Sequence, residues 1–225
     1  MAETYSLVDA TMKVIQDRRS IREWTEEPVS EEDLQMILEA GRQAPSGENA
    51  QPWRFIVIKD KETRRKLATI AGGGSGRRFT AEFVTKQMHA RFAGLQDEEK
   101  KKAAFEKLTS GQVSQFSENA PVTIIICGKK DVWDTPYDTS AAIENMLLMI
   151  QALELGACWV IAVSFDVRDE ERSKELLGVP EGYKVISLVS VGHPVRPHRQ
   201  RPRLPLAQIC FSEKWGEPYY KEEKA

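Results

Sequence analysis

Two short stretches, residues 18–22 (RRSIR) and 44–53 (APSGENAQPW), decide how this chain is interpreted. Three arginines and a serine suit a phosphate, because guanidinium forks match phosphate oxygens and stay charged at any working pH. The second stretch holds serine, glycine and asparagine between two prolines, which suits the polar rim of a planar ring. Taken singly, these residues also fit a solvated helix end and an ordinary helix-to-strand connection. Together they favour a flavin nucleotide, and therefore redox chemistry.

Composition and charge argue against several other classes of protein. The 225 residues fit one substantial domain, and a net charge of −2 argues against nucleic-acid binding, which needs a positive field. The three cysteines, Cys127, Cys158 and Cys210, are far apart and form no Cys/His cluster, which argues against disulfides and structural zinc. The longest apolar stretch, residues 141–155, is too short and too polar to span a membrane. We therefore expect a cytoplasmic protein without a metal, membrane or nucleic-acid partner.

Hydrophobic periodicity predicts a chain in which helices and strands alternate. Predicted helices cover residues 6–17, 30–41, 61–70, 138–155 and 169–177. Apolar runs rich in valine and isoleucine predict strands over residues 55–58, 121–127 and 183–191. Helix 138–155 is apolar around most of its circumference, which predicts burial on several sides.

Two regions are predicted to be less regular. The run at residues 72–76 (GGGSG) lacks the Gly-Lys-Ser/Thr end of a phosphate-binding loop, so we interpret it as a flexible hinge or lid. The charged residues after it extend this variable lid region over 72–118. From residue 195 onward, prolines and arginines dominate. We therefore divide the chain into a domain, 1–194, and a C-terminal arm, 195–225, that lies over another surface such as a partner subunit.

Three further motifs complete a family resemblance. They are residues 156–159 (GACW), which follow the apolar helix, 189–194 (VSVGHP) and 201–206 (RPRLPL). With the two N-terminal stretches, they resemble the signatures of the FMN-dependent nitroreductase family. The resemblance implies an α+β fold of three layers, with a mixed central sheet flanked by helices. It also implies an intertwined homodimer with exchanged C-terminal arms and two FMN sites at the interface.

The resemblance further implies which residues bind FMN. Those that would hold the phosphate and the ribityl chain are Arg18, Arg19 and Ser20. Those that would line the flavin from the partner subunit are Pro45, Ser46, Gly47 and Asn49. Backbone groups of Ala162 and Val163 would approach flavin N5, and Arg201 and Arg203 would return to the phosphate.

The implied activity is a ping-pong cycle. A hydride passes from NAD(P)H through flavin N5 to a nitroaromatic, a quinone or a similar electron-poor acceptor. Arg22 would lie near the N1/O2 edge as the catalytic residue, since a fixed cation stabilises negative charge there without reorganising. Residues 77–79 are candidates for substrate contact.

Three alternatives stay open at this point. The sequence of residues 44–47 also resembles flavin enzymes that remove halogen from aromatic rings, and these need a lid. Other enzymes of the same fold consume the flavin itself with oxygen. A flavin-binding protein without turnover, serving as a sensor or store, is the alternative from another class.

Overall fold

The computed structural model describes residues 6–196 and 200–220. The α-helices are α1 Leu7–Asp17, α2 Glu31–Arg42, α3 Lys61–Val84, α4 Gln87–Arg91, α5 Glu98–Thr109, α6 Gln112–Gln115, α7 Thr135–Ala152, α8 Val167–Leu177 and α9 Leu206–Ile209. The strands are β1 Trp53–Ile58, β2 Val122–Lys129, β3 Gly156–Val160 and β4 Tyr183–Gly192. Short 3₁₀ turns cover Gly47–Asn49, Phe116–Asn119 and Ala162–Ser164.

The four strands form one sheet in the order β1-β2-β4-β3, and neighbouring strands run antiparallel. A fifth segment, at residues 20–21, pairs with the outer edge of β3 in the parallel direction. Ser20 forms a parallel bridge with Ala157, and the Ile21 N–H donates to Ala157 O at 2.8 Å. The predicted α+β class is therefore confirmed, and the parallel pairing expected of a mixed sheet is limited to this bridge among the described residues.

Helices cover both faces of this sheet because its central strands are apolar on both sides. On β2, Ile124 and Ile126 face a core formed with α2 and α7. Ile125 and Cys127 face the opposite core, which includes residues of α3 and of the turn after β3. The result is the predicted arrangement of three layers.

Polar side chains set the starts of several predicted helices. Ser30 caps α2 by accepting a hydrogen bond from the Asp33 N–H at 3.0 Å, and acids follow in the first turn. Ser6 and Asp60 cap α1 and α3 in the same way. Gly178, with φ of +65°, ends α8 in the left-handed conformation that favours glycine. These positions agree with the predicted helices.

The prediction of a flexible glycine run at residues 72–76 is wrong. All five residues lie inside the 24-residue helix α3, and four of them are buried. Their small size permits close packing: a Cβ on Gly74 would lie against Ala162 O, and one on Gly76 would lie 2.9 Å from Thr109 O. The glycines therefore bring α3 close to its neighbours.

The predicted arm falls partly outside the described residues, which exclude 197–199 and 221–225. Its described part contains the short helix α9 and an isolated antiparallel bridge between Phe211 and Pro218. The division at residue 195, the lid over 72–118 and the exchange of arms between subunits stay predictions. Among the described residues, no helix is long and apolar enough to cross a bilayer.

Candidate functional site

The arginines of the first motif line a polar cavity of about 980 Å³. Six arginines and one glutamate contribute to its wall, so the cavity carries excess positive charge. The lining residues are Arg18, Arg19, Ser20, Arg22, Glu23, Arg196, Gln200, Arg201, Pro202 and Arg203. The structure therefore brings both ends of the predicted phosphate site, residues 18–22 and 201–203, to one place.

Local packing positions the N-terminal part of this cavity. The segment 20–24 is fixed against β3, where the Trp24 indole N–H donates to Gly156 O at 2.9 Å. Ile21 fills the space beside Gly156, where a Cβ would have to lie 2.7 Å from the isoleucine side chain. Residues 18–22 therefore sit on a rigid edge of the sheet.

Arg19 has a donor that the protein leaves free. One terminal nitrogen donates to Gln16 O and to Arg18 O, both at 2.5 Å. Its Nε is buried and has no hydrogen-bond partner among the described residues. A buried donor without a partner is costly, so an anion that accepts from it would stabilise the site.

Arg22 stands between the arginine cavity and a second cavity of about 290 Å³, because it lines both. It donates from Nη1 to Ser20 O at 3.2 Å, and its guanidinium carbon lies 5.6 Å from the centre of the Phe116 ring. The residues that line the second cavity are Arg22, Ser75, Arg78, Phe79, Leu108, Val113, Ser114, Phe116, Cys158, Trp159, Val160, Ile161, Ala162 and Phe165.

Aromatic and aliphatic side chains form most of the second cavity, so it suits a planar apolar ring. Trp159, Ile161 and Phe165 remain exposed there although they are large and apolar. Cys158 lies in the same wall and is buried. Burial raises the pKa of its thiol, while the charge of Arg22 lowers it by a smaller amount.

The two residues predicted near flavin N5 have different surroundings. Ala162 lines the second cavity, whereas the side chain of Val163 is fully buried in the core. The Val163 carbonyl accepts a hydrogen bond from Ser173 Oγ at 2.8 Å. Ala162 O faces Gly74, as described above. This turn is therefore held from two sides, by α3 and by α8.

The second motif lies apart from both cavities in the single chain. The Gly47 N–H donates to Asp138 Oδ1 on α7 at 3.2 Å, and Ser46 Oγ accepts from the Gln51 N–H at 3.0 Å. Three non-glycine residues of this loop have positive φ angles: Glu48, Asn49 and Gln51, at 51°, 56° and 45°. Neither cavity includes Pro45, Ser46, Gly47 or Asn49. Their predicted role from the partner subunit stays a prediction.

Sequence reasoning found some of the second cavity and missed the rest. Arg78 and Phe79 line it, in line with their candidacy as substrate contacts. Arg77 instead pairs with Asp166 at 2.9 Å and with the buried Asp169, so it links α3 to α8. Phe116 and Phe165 were missed, because neither lies in a motif and only folding brings them together.

A polar, arginine-lined cavity that shares Arg22 with an aromatic one, on an α+β scaffold, would suit a phosphorylated planar ligand. The family model described as "Nitroreductase family" matches residues 15–193, so this chain belongs to the nitroreductase family. A relative from Archaeoglobus fulgidus, named putative NADH dehydrogenase/NAD(P)H nitroreductase, is 32% identical over 195 residues. The alignment covers 83% of this chain and 87% of that relative.

Two further matches show the range of the relatives. The solved structure of an FMN-dependent nitroreductase from Clostridium difficile R20291 is 26% identical, with a TM-score of 0.63. The alignment covers 85% of this chain and 91% of the chain in that structure. Iodotyrosine deiodinase 1 from Rattus norvegicus is 27% identical over 194 residues, which cover 82% of this chain and 62% of that longer protein.

Proposed function

We propose that this protein is an FMN-dependent oxidoreductase that transfers a hydride from NAD(P)H to a small, electron-poor acceptor such as a nitroaromatic or a quinone. The predicted class, an NAD(P)H-dependent oxidoreductase with FMN as cofactor, is confirmed by the relatives. The acceptor, the ping-pong order and the site residues are our proposal. The observation that carries it is the position of Arg22, which lines both the arginine cavity and the aromatic cavity.

The residues present fit FMN. The arginine cavity supplies guanidinium donors for a phosphate, and the buried Nε of Arg19 lacks a partner that such an anion would supply. The aromatic cavity next to it suits a planar ring system. Arg18, Arg19, Ser20, Arg201 and Arg203 would hold the phosphate end.

When bound, FMN would supply the capacity to accept a hydride from the nicotinamide and to pass it on. Arg22 would stabilise the negative charge that develops at the N1/O2 edge, because its guanidinium is fixed by Ser20 O and by the Phe116 ring. The aromatic and aliphatic side chains of the second cavity would contact the ring. For a nitro acceptor, the nitro compound, NAD(P)H and one proton give the nitroso compound, NAD(P)⁺ and water.

The proposal includes a homodimer. One chain by itself keeps residues 45–49 apart from both cavities, so their predicted contact with flavin requires a second copy. Helix α1 presents an apolar stripe, with Leu7 and Val8 at 84% and 74% exposure, and it buries none of its residues. Such a stripe supports a partner surface for α1.

The test is the visible spectrum of the purified protein under anaerobic conditions. We expect flavin bands that bleach with NADH or NADPH and return with a nitro compound or a quinone. Arg22→Ala should slow bleaching about 10- to 100-fold, because only the developing charge loses its partner. Arg65→Ala is the matched control, since Arg65 is an exposed arginine that pairs with Glu62 at 2.8 Å and lines neither cavity.

Two results would reject parts of this proposal. If neither NADH nor NADPH bleaches the flavin bands, the oxidoreductase cycle is rejected, and the protein is a flavin-binding protein without this turnover. Equal bleaching rates for Arg22→Ala, Arg65→Ala and the unmodified protein would remove Arg22 from the catalytic role.

Reductive dehalogenation is the second candidate. The aromatic walls formed by Phe79, Phe116 and Phe165 favour a ring as the acceptor, and one relative is named a deiodinase. In that reaction, NAD(P)H and a halogenated aromatic give the dehalogenated aromatic, a halide ion and NAD(P)⁺. Halide release from an iodophenol, measured beside nitro reduction, separates the candidates. Fast release with slow nitro reduction would favour dehalogenation.

A further inference from the structure

The aromatic cavity contains a second arginine that the proposed flavin chemistry does not use. We propose that Arg78 recognises the acidic group of the substrate, so that the preferred acceptors are small aromatic acids. This inference rests on the proposed function, because it names the substrate class of the same site. It is carried by the charge of the cavity, the orientation of Arg78 and the rings beside it.

The cavity is positively charged. Arg22 and Arg78 line it, and no aspartate or glutamate stands among its lining residues in the described part of the chain. Its other polar side chains include Ser75 and Ser114, whose hydroxyls bond each other. Because two arginines and no acidic residue line it, the cavity favours a negatively charged ring over a neutral one.

The orientation of Arg78 leaves its terminal nitrogens available. Its Nε donates to Glu82 Oε1 at 3.0 Å, while Glu82 Oε2 lies 2.7 Å from Arg91 Nη2. Two arginines therefore share the charge of one carboxylate, and Arg78 is not neutralised by it. The terminal nitrogens of Arg78 bond no other residue within 6–196 and 200–220. A ligand carboxylate can accept both N–H groups of such a fork.

Two phenylalanines place this cation beside the ring site. The guanidinium carbon of Arg78 lies 5.7 Å from the centre of the Phe79 ring and 6.0 Å from that of Phe165. Both rings line the cavity. They restrict the guanidinium without consuming its donors, and they offer a flat surface to the acceptor.

The test compares two acceptors that differ in charge, 4-nitrobenzoate and 4-nitrobenzamide, on the FMN-loaded protein. We expect the unmodified protein to prefer the acid at least about tenfold in kcat/KM, as one charge-assisted pair supplies. Arg78→Gln should reduce this ratio to about one. Arg65→Gln is the matched control, because Arg65 is an exposed arginine of the same helix that pairs with Glu62 and lines neither cavity. It should keep the preference.

Other results would overturn the inference. If Arg78→Gln leaves the ratio of kcat/KM for the acid and the amide unchanged, Arg78 does not recognise the carboxylate. Equal loss in Arg78→Gln and Arg65→Gln would assign the effect to the net charge of the protein and not to the cavity. A raised KM for the nicotinamide, with the acceptor ratio retained, would assign Arg78 to the electron donor.

A direct binding measurement separates this inference from the proposed function. Calorimetric titration with benzoate needs no turnover, so it remains informative if neither nitro compound is reduced. Benzoate that binds the unmodified protein at least about tenfold more tightly than Arg78→Gln supports the acid site even when the redox proposal fails. Equal binding to both proteins, alongside normal flavin reduction, would reject the acid site and keep the redox proposal.

Discussion

Two adjacent glycines of α3 give a sharp test of how this helix is packed. Gly74 is buried, and a Cβ there would lie 2.8 Å from Asp169 Oδ2 and closer still to Ala162 O. Gly73 is exposed, and a Cβ there would meet only the end of the Arg77 side chain, at 3.3 Å. Gly74→Ala and Gly73→Ala are therefore the same change in the same helix turn, with opposite surroundings.

The expected stabilities follow from two opposing contributions. Replacing glycine by alanine in a helix interior stabilises by about 0.5–1 kcal/mol, and this gain applies to both positions. Gly74→Ala must also move α3 away from a backbone carbonyl, and overpacking of this kind costs about 1–3 kcal/mol. We expect Gly73→Ala to be more stable than Gly74→Ala by about 2 kcal/mol. In a chain of this length, that difference corresponds to about 4–8 °C in Tm.

The assay is equilibrium unfolding in urea, together with thermal unfolding, at one protein concentration. A fixed concentration matters because self-association would make both midpoints depend on it. The FMN content of each variant should be equalised, since a bound cofactor also raises stability. The visible flavin spectrum then provides a second readout, because Gly74 packs against the turn at Ala162 that lines the aromatic cavity.

The reasoning would be refuted if both variants gained stability by the same amount. Residues 72–76 would then behave as an unpacked helix, and the burial of Gly74 would have no energetic consequence. A loss of equal size at both positions would also contradict it, because the one side-chain contact at Gly73 is much looser than the backbone contact at Gly74.

Two further predictions concern ionisable groups. Burial raises the pKa of Cys127 to about 11 and also raises the pKa of Cys158. At pH 8 a thiol reagent should therefore label only Cys210 in the native protein. After unfolding, the reagent should label all three cysteines. The Arg168 side chain, helped by the Asp169 N–H and Arg77, lowers the pKa of Asp166. Its stabilisation should therefore be complete above the unfolded pKa of about 3.9 and decline as pH falls from there through the lower folded-state pKa, so Asp166→Asn should lose more stability at pH 7 than at pH 2 in urea unfolding.

Much of the framework could be predicted because its signals are local. The strand at 121–127 is a run of apolar residues between turns, and the start of α2 is marked by Ser30 with acids behind it. The glycine run could not be interpreted in this way. Glycine favours flexibility in an isolated chain. Here the glycines instead let α3 pack closely against Ala162 and Thr109, and these neighbours are distant in sequence.

The candidate site also combines residues that the sequence reveals with residues that only the fold reveals. Residues 18–22 are contiguous, so their suitability for a phosphate is visible in the sequence, whereas Phe116 and Phe165 meet only after folding.

The loop at 45–51 raises a different point. Its positive φ angles at Glu48, Asn49 and Gln51 are unusual for residues with side chains, and the Gly47 bond to Asp138 holds the loop on α7. A strained, anchored loop that lines neither cavity of its own chain needs a reason to persist. Contact with the flavin of a second copy would provide that reason.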